Sequence, residues 1–177
     1  IFDERIQKNA VSLRNNSGLV RNTGKYISLS GGTNEVFTLA AFGLYGVITK
    51  NEKVKTTTLL ATQAVITATL VETVVKVISG RRRPNFYGDN EEAEPKFTGP
   101  FGNVSHGPSG RRTNSSFPSG HTTVACAVST VFAVEYRDKP VIPIIAYSMA
   151  TLMGVSRITE NKHWASDVLV GAALGYI

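Results

Sequence analysis

The chain has 177 residues, 42% of them hydrophobic and 18% charged, and carries 19 Lys and Arg against 13 Asp and Glu for a net charge of +6. Such a composition excludes a disordered chain and suits a single domain, residues 1–177, with a real core. The lone cysteine, Cys126, excludes an intrachain disulfide framework and a multi-cysteine zinc site. The basic excess points to an anionic partner, whether nucleic acid, membrane surface or phosphorylated substrate. With Ile1 first and no charged-then-apolar leader, a mature or trimmed product is expected.

In chain order, a first helix is expected over Phe2 to Arg14, with Phe2, Ile6, Ala10 and Leu13 near one face. A second is expected over Asn34 to Lys50, after the break at Gly31, Gly32 and Thr33. Asn51 is placed to cap a third, which runs to Ser79 and stops at Gly80. That segment is rich in Thr and Val, which leaves a pair of strands as an alternative, although its length without a turn residue favours helix. From Gly80 to Pro118 lie six glycines and five of the seven prolines, the composition of one long loop. A fourth helix is expected from Ser119-Gly120 to Tyr136, a fifth over Val141 to Arg157 and a sixth from Lys162 to the end. The expected fold is therefore all-α, a bundle of about six helices interrupted by one long Gly/Pro-rich loop.

The charge-free runs Thr56–Val71, Thr113–Val134 and Pro140–Ser156 raise the question of a membrane. Only the last is nearly apolar, at 17 residues, the short end of what a span of about 20 residues requires. With a mean hydropathy of −0.02, the balance leans towards a soluble or peripherally attached protein. The run Val168–Ile177 ends while still apolar, as though a further helix or anchor were missing.

Three segments carry chemistry. In the first, Lys76 and Arg83 stand seven apart and Pro84 follows, so two cations share a helix end suited to a phosphate group. In the second, Pro118-Ser119-Gly120-His121 opens a helix. Its free N–H groups make an anion site there; Ser119 adds a hydroxyl, Gly120 permits close approach and His121 can move a proton. The third holds Ser156, Arg157, His163 and Asp167. His163 and Asp167, at i and i+4, would stack on one helix face, the carboxylate fixing the imidazole tautomer. Arg157 and His163, six apart, would share a pocket only if the helix breaks near Thr159 to Asn161, with Asn161 as cap. Each segment also has a plainer explanation: a solvated basic helix end, an ordinary N-cap, a surface His–Asp pair.

Together the three fix eleven residue types at set internal spacings, a coincidence on the order of 10⁻¹⁴ per placement before free spacers are counted. The pattern resembles the type 2 phosphatidic acid phosphatases, a superfamily that includes bacterial class A acid phosphatases and vanadium haloperoxidases. The resemblance covers Lys76 to Asp167, about half of the chain.

The resemblance implies a phosphatase acting on a phosphate monoester or pyrophosphate, with a lipid as the leading substrate class. Its implied catalytic residues are His163 as nucleophile, His121 as acid and base and Asp167 as orienting group. Lys76, Arg83, Ser119, Gly120 and Arg157 would bind the phosphoryl group. It implies no metal and no cofactor, and a place at a cell-envelope membrane, on the periplasmic side. A soluble broad-specificity acid phosphatase is the alternative, with a vanadium haloperoxidase and a non-enzymatic anion-binding module behind it. Nucleic-acid binding is not expected, because the basic residues form no stripe with aromatics. Arg81 and Arg82 read as solvated or loop-packing charges, His106 as an exposed loop histidine, Trp164 as a packing aromatic and Cys126 as a small buried hydrophobe.

Overall fold

The structure, a computed structural model, describes residues 2–30, 33–87, 93–100 and 114–177. Among these it contains seven α-helices: α1 Phe2–Asn16, α2 Gly18–Ser30, α3 Thr33–Ile48, α4 Glu52–Ser79, α5 Gly120–Glu135, α6 Val141–Thr159 and α7 Ala165–Tyr176. The all-α expectation holds, with one helix more than expected. The addition is α2, whose stretch holds Gly18, Gly24 and several Ser, Thr and Asn residues of low helix propensity. Packing overrides that weakness: α2 lies along α6. At Gly24 an added Cβ would stand 3.1 Å from Thr159 Oγ1, so the glycine permits the approach.

The third expected helix is real and unbroken as α4. Asn51 caps it by accepting from Val54 N–H, and Gly80 ends it at φ 55, in the left-handed region. Its threonines are tolerated because Thr57, Thr58 and Thr62 return their hydroxyl protons to the carbonyls four residues earlier. The expected break after α6 is present as well, but Asn161 does not cap the last helix. It takes a positive φ of 55 just past the end of α6, and α7 begins only at Ala165, with Trp164 as its N-cap residue.

At the centre is α5, packed against α4, α6 and α7. It meets α7 through bare backbone. A Cβ on Gly171 would stand 2.7 Å from the Ser119 carbonyl, and one on Gly175 would run into the Thr123 carbonyl. Glycines four apart on one helix let two helices approach this closely. The contacts also fix direction: α4 and α6 end, and α5 and α7 begin, at the same end of the bundle. Two helix N-termini and their positive dipole ends therefore converge there.

The outer faces are apolar. Leu59, Ile66, Leu70 and Ile78 on α4, and Ile144 and Met149 on α6, are all exposed. Both helices are long and apolar enough to cross a membrane, and only 17% of the most apolar stretch of α4 and 28% of that of α6 is buried. Core helices of a soluble bundle would be mostly covered, and exposed apolar faces of this extent mark a lipid or partner surface. These faces weigh against the soluble half of the expectation of a soluble or peripherally attached chain.

Candidate active site

The converging helix ends build a pocket of about 360 Å³ with two unlike halves. Val36 and Leu39 of α3, Val65 of α4 and Val124 of α5 form an apolar wall; Lys76, Arg83, Gly120, His121 and His163, with Glu72, form a polar floor. Five of the eight expected site residues thus meet in one cavity, drawn from α4, α5 and the segments that precede α5 and α7.

Local structure explains each placement. Lys76 occupies the last turn of α4 and is ion-paired with Glu72 one turn earlier. Arg83 follows the turn at Gly80, held by donation from its Nη2 to the Ser115 carbonyl at 3.2 Å. The reason for glycine at 120 is steric. A Cβ there would lie 2.8 Å from Glu72 Oε1 and 2.9 Å from Lys76 Nζ, so only a bare backbone lets α4 and α5 close around the site.

His163 is fully inside the protein, 2% exposed. It stands in the bend between α6 and α7, not on a helix, so the expected stacking of His163 and Asp167 on one helix face is not what forms. Its Nδ1 lies 2.7 Å from the Ser116 carbonyl and 3.6 Å from Asp167 Oδ2. A carbonyl can only accept, so the proton sits on Nδ1 and the Nε2 lone pair is free. Burial pulls the His163 pKa down to about 3 against the opposing influence of Asp167, and the positive charge of Arg83 adds to the lowering. The ring is neutral near pH 7, with a lone pair available on Nε2.

Asp167 lies behind the ring and is 0% exposed. It accepts from Ser116 Oγ at 2.5 Å, from Trp164 N–H at 2.9 Å and from Arg81 Nη1 at 2.5 Å. Of the two expectations for Arg81, a solvated or a loop-packing charge, the first fails: it is buried, 3% exposed, and clamped between Asp167 and Asp3. Trp164 is a packing aromatic, fully buried, with its indole N–H on the Arg82 carbonyl. Cys126 is buried as expected, and His106 lies outside the described residues.

Arg157 and Ser119 are near the cavity without lining it. The His163 N–H donates to the Arg157 carbonyl at 3.2 Å, which ties the two residues together across the break. The Arg157 guanidinium bonds Ser28 on α2 through Nη1 at 2.6 Å. The Nε atoms of Arg157 and Arg83 are buried without a hydrogen-bond partner among the described residues. Ser119 is wholly buried, its hydroxyl 2.9 Å from Thr122 Oγ1 and its N–H on the Asp167 carbonyl. It joins the starts of α5 and α7.

Sequence reasoning missed Ser116, Glu72 and Asp3. Glu72 stands four residues before Lys76, an ion-pair spacing visible in the sequence. Ser116 and Asp3 left no such signal.

The PAP2 superfamily model matches residues 57–177. The chain belongs to the PAP2 superfamily. Among PAP2 relatives, the lipid A 1-phosphatase of Porphyromonas gingivalis is 48% identical over 71 residues, covering 40% of this chain and 16% of that protein. The lipid A 1-phosphatase of Rhizobium johnstonii is 30% identical over 112 residues, 63% of this chain and 40% of that protein. The chain spans less than half the length of these curated relatives. In structure it is similar to the transmembrane PAP2-type phosphatidylglycerolphosphate phosphatase of Bacillus subtilis, with a TM-score of 0.65, 23% identity and coverage of 98% of this chain and 79% of that one. That likeness shows the PAP2 fold, and the exposed apolar helices α4 and α6 suggest association with a membrane.

Proposed function

We propose that the chain is a lipid phosphate phosphatase working at the surface of a membrane that α4 and α6 cross. The observation that carries this reading is the two-sided cavity: an apolar wall of valines and a leucine standing over a floor of cations and two histidines. A phosphate on an acyl or isoprenyl chain has the same division between its two ends. The site lies where helices end, the level at which a lipid headgroup meets water.

In the proposed reaction the phosphoryl oxygens lie between Lys76, Arg83 and Arg157, with the Gly120 amide and the N-terminus of α5 adding positive potential. The Nε2 lone pair of His163 forms a bond to phosphorus as the ester P–O bond breaks. His121 protonates the departing oxygen. In the second half His121 takes a proton from water, the new P–O bond forms, the N–P bond breaks, and inorganic phosphate leaves. Asp167 and the Ser116 carbonyl hold the His163 ring throughout, and Ser119 holds the starts of α5 and α7 in register. Side-chain cations supply the charge that phosphoryl transfer demands, so no metal ion is required. The periplasmic face of a cell-envelope membrane is the location this reading assigns.

The test is phosphate release by the chain in detergent with EDTA present, from phosphatidic acid, an isoprenyl pyrophosphate and p-nitrophenyl phosphate. Release from a lipid that disappears in His163→Ala supports the reading. Release from p-nitrophenyl phosphate alone favours a broad acid phosphatase, and release from none of the three by folded protein overturns it.

A further inference from the structure

A continuous set of buried polar contacts runs from the first turn of α1 to the nucleophile. Asp3, on α1, is 8% exposed, Arg81 3% and Asp167 0%. Asp3 Oδ2 accepts from Arg81 Nη2 at 2.6 Å and from Ser166 Oγ at 2.5 Å, while its Oδ1 accepts from the Ser166 N–H at 2.9 Å. The other arm of the guanidinium, Nη1, donates to Ser166 Oγ at 2.7 Å and to Asp167 Oδ1 at 2.5 Å. Asp167 in turn receives Ser116 Oγ, and the carbonyl of that same Ser116 receives the proton of His163 Nδ1. The Ser116 N–H closes the loop on the Arg81 carbonyl at 2.9 Å.

Burying two carboxylates and a guanidinium carries a desolvation cost that well-packed apolar groups avoid. The geometry gives the cluster a task. Asp3 caps α7 from another helix by taking a first-turn N–H, and a negative charge is favoured at that helix end. The same carboxylate fixes one arm of Arg81, so the planar fork holds Asp167 in one place. Asp3 lies outside the matched residues 57–177, so the family pattern does not include it.

We propose that Asp3, acting through Arg81 and Ser166, is a positioning residue for the nucleophile: α1 sets where Asp167 and the Ser116 carbonyl stand, and they set the ring of His163. This inference rests on the reading of His163 as the nucleophile. Asp3 touches no substrate, so its loss lowers turnover and leaves substrate affinity alone. Besides Asp167, the charged and titratable groups around His163 are Arg83 before α5, Arg157 at the end of α6, Lys76 and Glu72 on α4 and His121 on α5.

The experiment compares wild type, Asp3→Asn, Asp3→Glu and Ser166→Ala as full chains in detergent, with phosphatidic acid and p-nitrophenyl phosphate. The expected result for Asp3→Asn is a kcat lower by tenfold or more on both substrates, with KM within twofold, and partial recovery in Asp3→Glu. In ¹⁵N spectra, wild-type His163 carries its proton on Nδ1, and Asp3→Asn shows a mixture of both tautomers. A folded Asp3→Asn with kcat within twofold of wild type overturns the inference, as does a KM change that accounts for the whole loss. If Asp3→Asn does not fold, Ser166→Ala decides: a threefold or larger fall in kcat supports the coupling, and an unchanged kcat overturns it. An inactive wild type, or an active His163→Ala, would instead overturn the functional reading.

Discussion

The proton on His163 Nδ1 points to the backbone carbonyl of Ser116, 2.7 Å away, while Asp167 stands at 3.6 Å. Asp167 therefore steers the ring chiefly through Ser116, whose hydroxyl it accepts. Asp167→Asn removes the charge and turns one of the two acceptor oxygens into an NH₂, so either the Arg81 or the Ser116 contact is lost, and kcat is expected to fall about 100-fold. Ser116→Ala keeps the carbonyl and removes one charge-assisted hydrogen bond, worth about 1.5–3 kcal/mol, and is expected to cost about tenfold. Steady-state kinetics on the two variants checks this; a Ser116→Ala variant with wild-type kcat beside an impaired Asp167→Asn would show that Asp167 acts on the ring directly.

The pH dependence follows from the burial of His163. Its pKa of about 3 in the folded protein means that the ring gains a proton only in strong acid. As the proposed nucleophile, His163 is therefore expected to cause no loss of kcat/KM near pH 6.5, where an ordinary histidine titrates. In the unfolded chain the same residue protonates near 6.5. Between these values the unfolded state binds a proton that the folded state does not, so stability falls as pH drops from 6.5 towards 3. Histidine NMR in detergent and unfolding midpoints at several pH values check both halves; a His163 resonance titrating near 6.5 would contradict them.

Gly120→Ala pushes a methyl group against Glu72 and Lys76. Lys76 then moves off the phosphoryl site or α5 shifts outward. A displacement of about 1 Å in a positioned group costs on the order of 100-fold, and kcat/KM is expected to fall by that much. The check is a kinetic comparison with Gly18→Ala, where an added Cβ meets nothing within 4 Å.

Glu72 brings a negative charge into a cavity built for an anion, and it is paired with Lys76. Two unit charges 4 Å apart interact by about 4 kcal/mol at an effective dielectric of 20, so neutralising Glu72 strengthens the hold on phosphate. Glu72→Gln is expected to bind inorganic phosphate about tenfold more tightly and to turn over more slowly, because product leaves later. Product-inhibition constants measure this, and an unchanged constant would mean that Lys76 and Glu72 do not share the bound anion.

The exposed faces of α4 and α6 predict how the chain behaves in cells. It is expected to stay in the membrane fraction after a carbonate wash and to leave only with detergent. Ile66→Glu, on the outer face of α4, places a charge in lipid at a cost of about 3 kcal/mol and is expected to reduce the membrane-inserted fraction sharply. Recovery of wild-type chain in the carbonate supernatant would argue for peripheral attachment.

Much of this molecule was legible in the sequence, and the exceptions have physical causes. The ends of α4 could be read because Asn51 and Gly80 act through local backbone geometry. The cavity floor could be read because Lys76, Arg83, Gly120, His121 and His163 belong to a pattern of fixed local spacings. By contrast, α2 was hidden because its helicity comes from packing on α6 and not from its own residues. The start of α7 was misplaced because Asn161, a plausible cap by residue type, adopts a left-handed conformation after α6 instead. Arg81 read as a solvated or loop-packing charge because its partners, Asp3 and Asp167, stand 78 and 86 residues away, a separation no local pattern encodes.

The glycine contact between α5 and α7 works as a ruler. His121 rides on the first turn of α5, and His163 sits just ahead of α7. The spacing of these two helices is set where Gly171 and Gly175 come up against the main chain of Ser119 and Thr123, which cannot repack as a side chain can. A bulkier residue at either position would act as a shim, opening the gap between His121 and His163 while leaving both side chains intact.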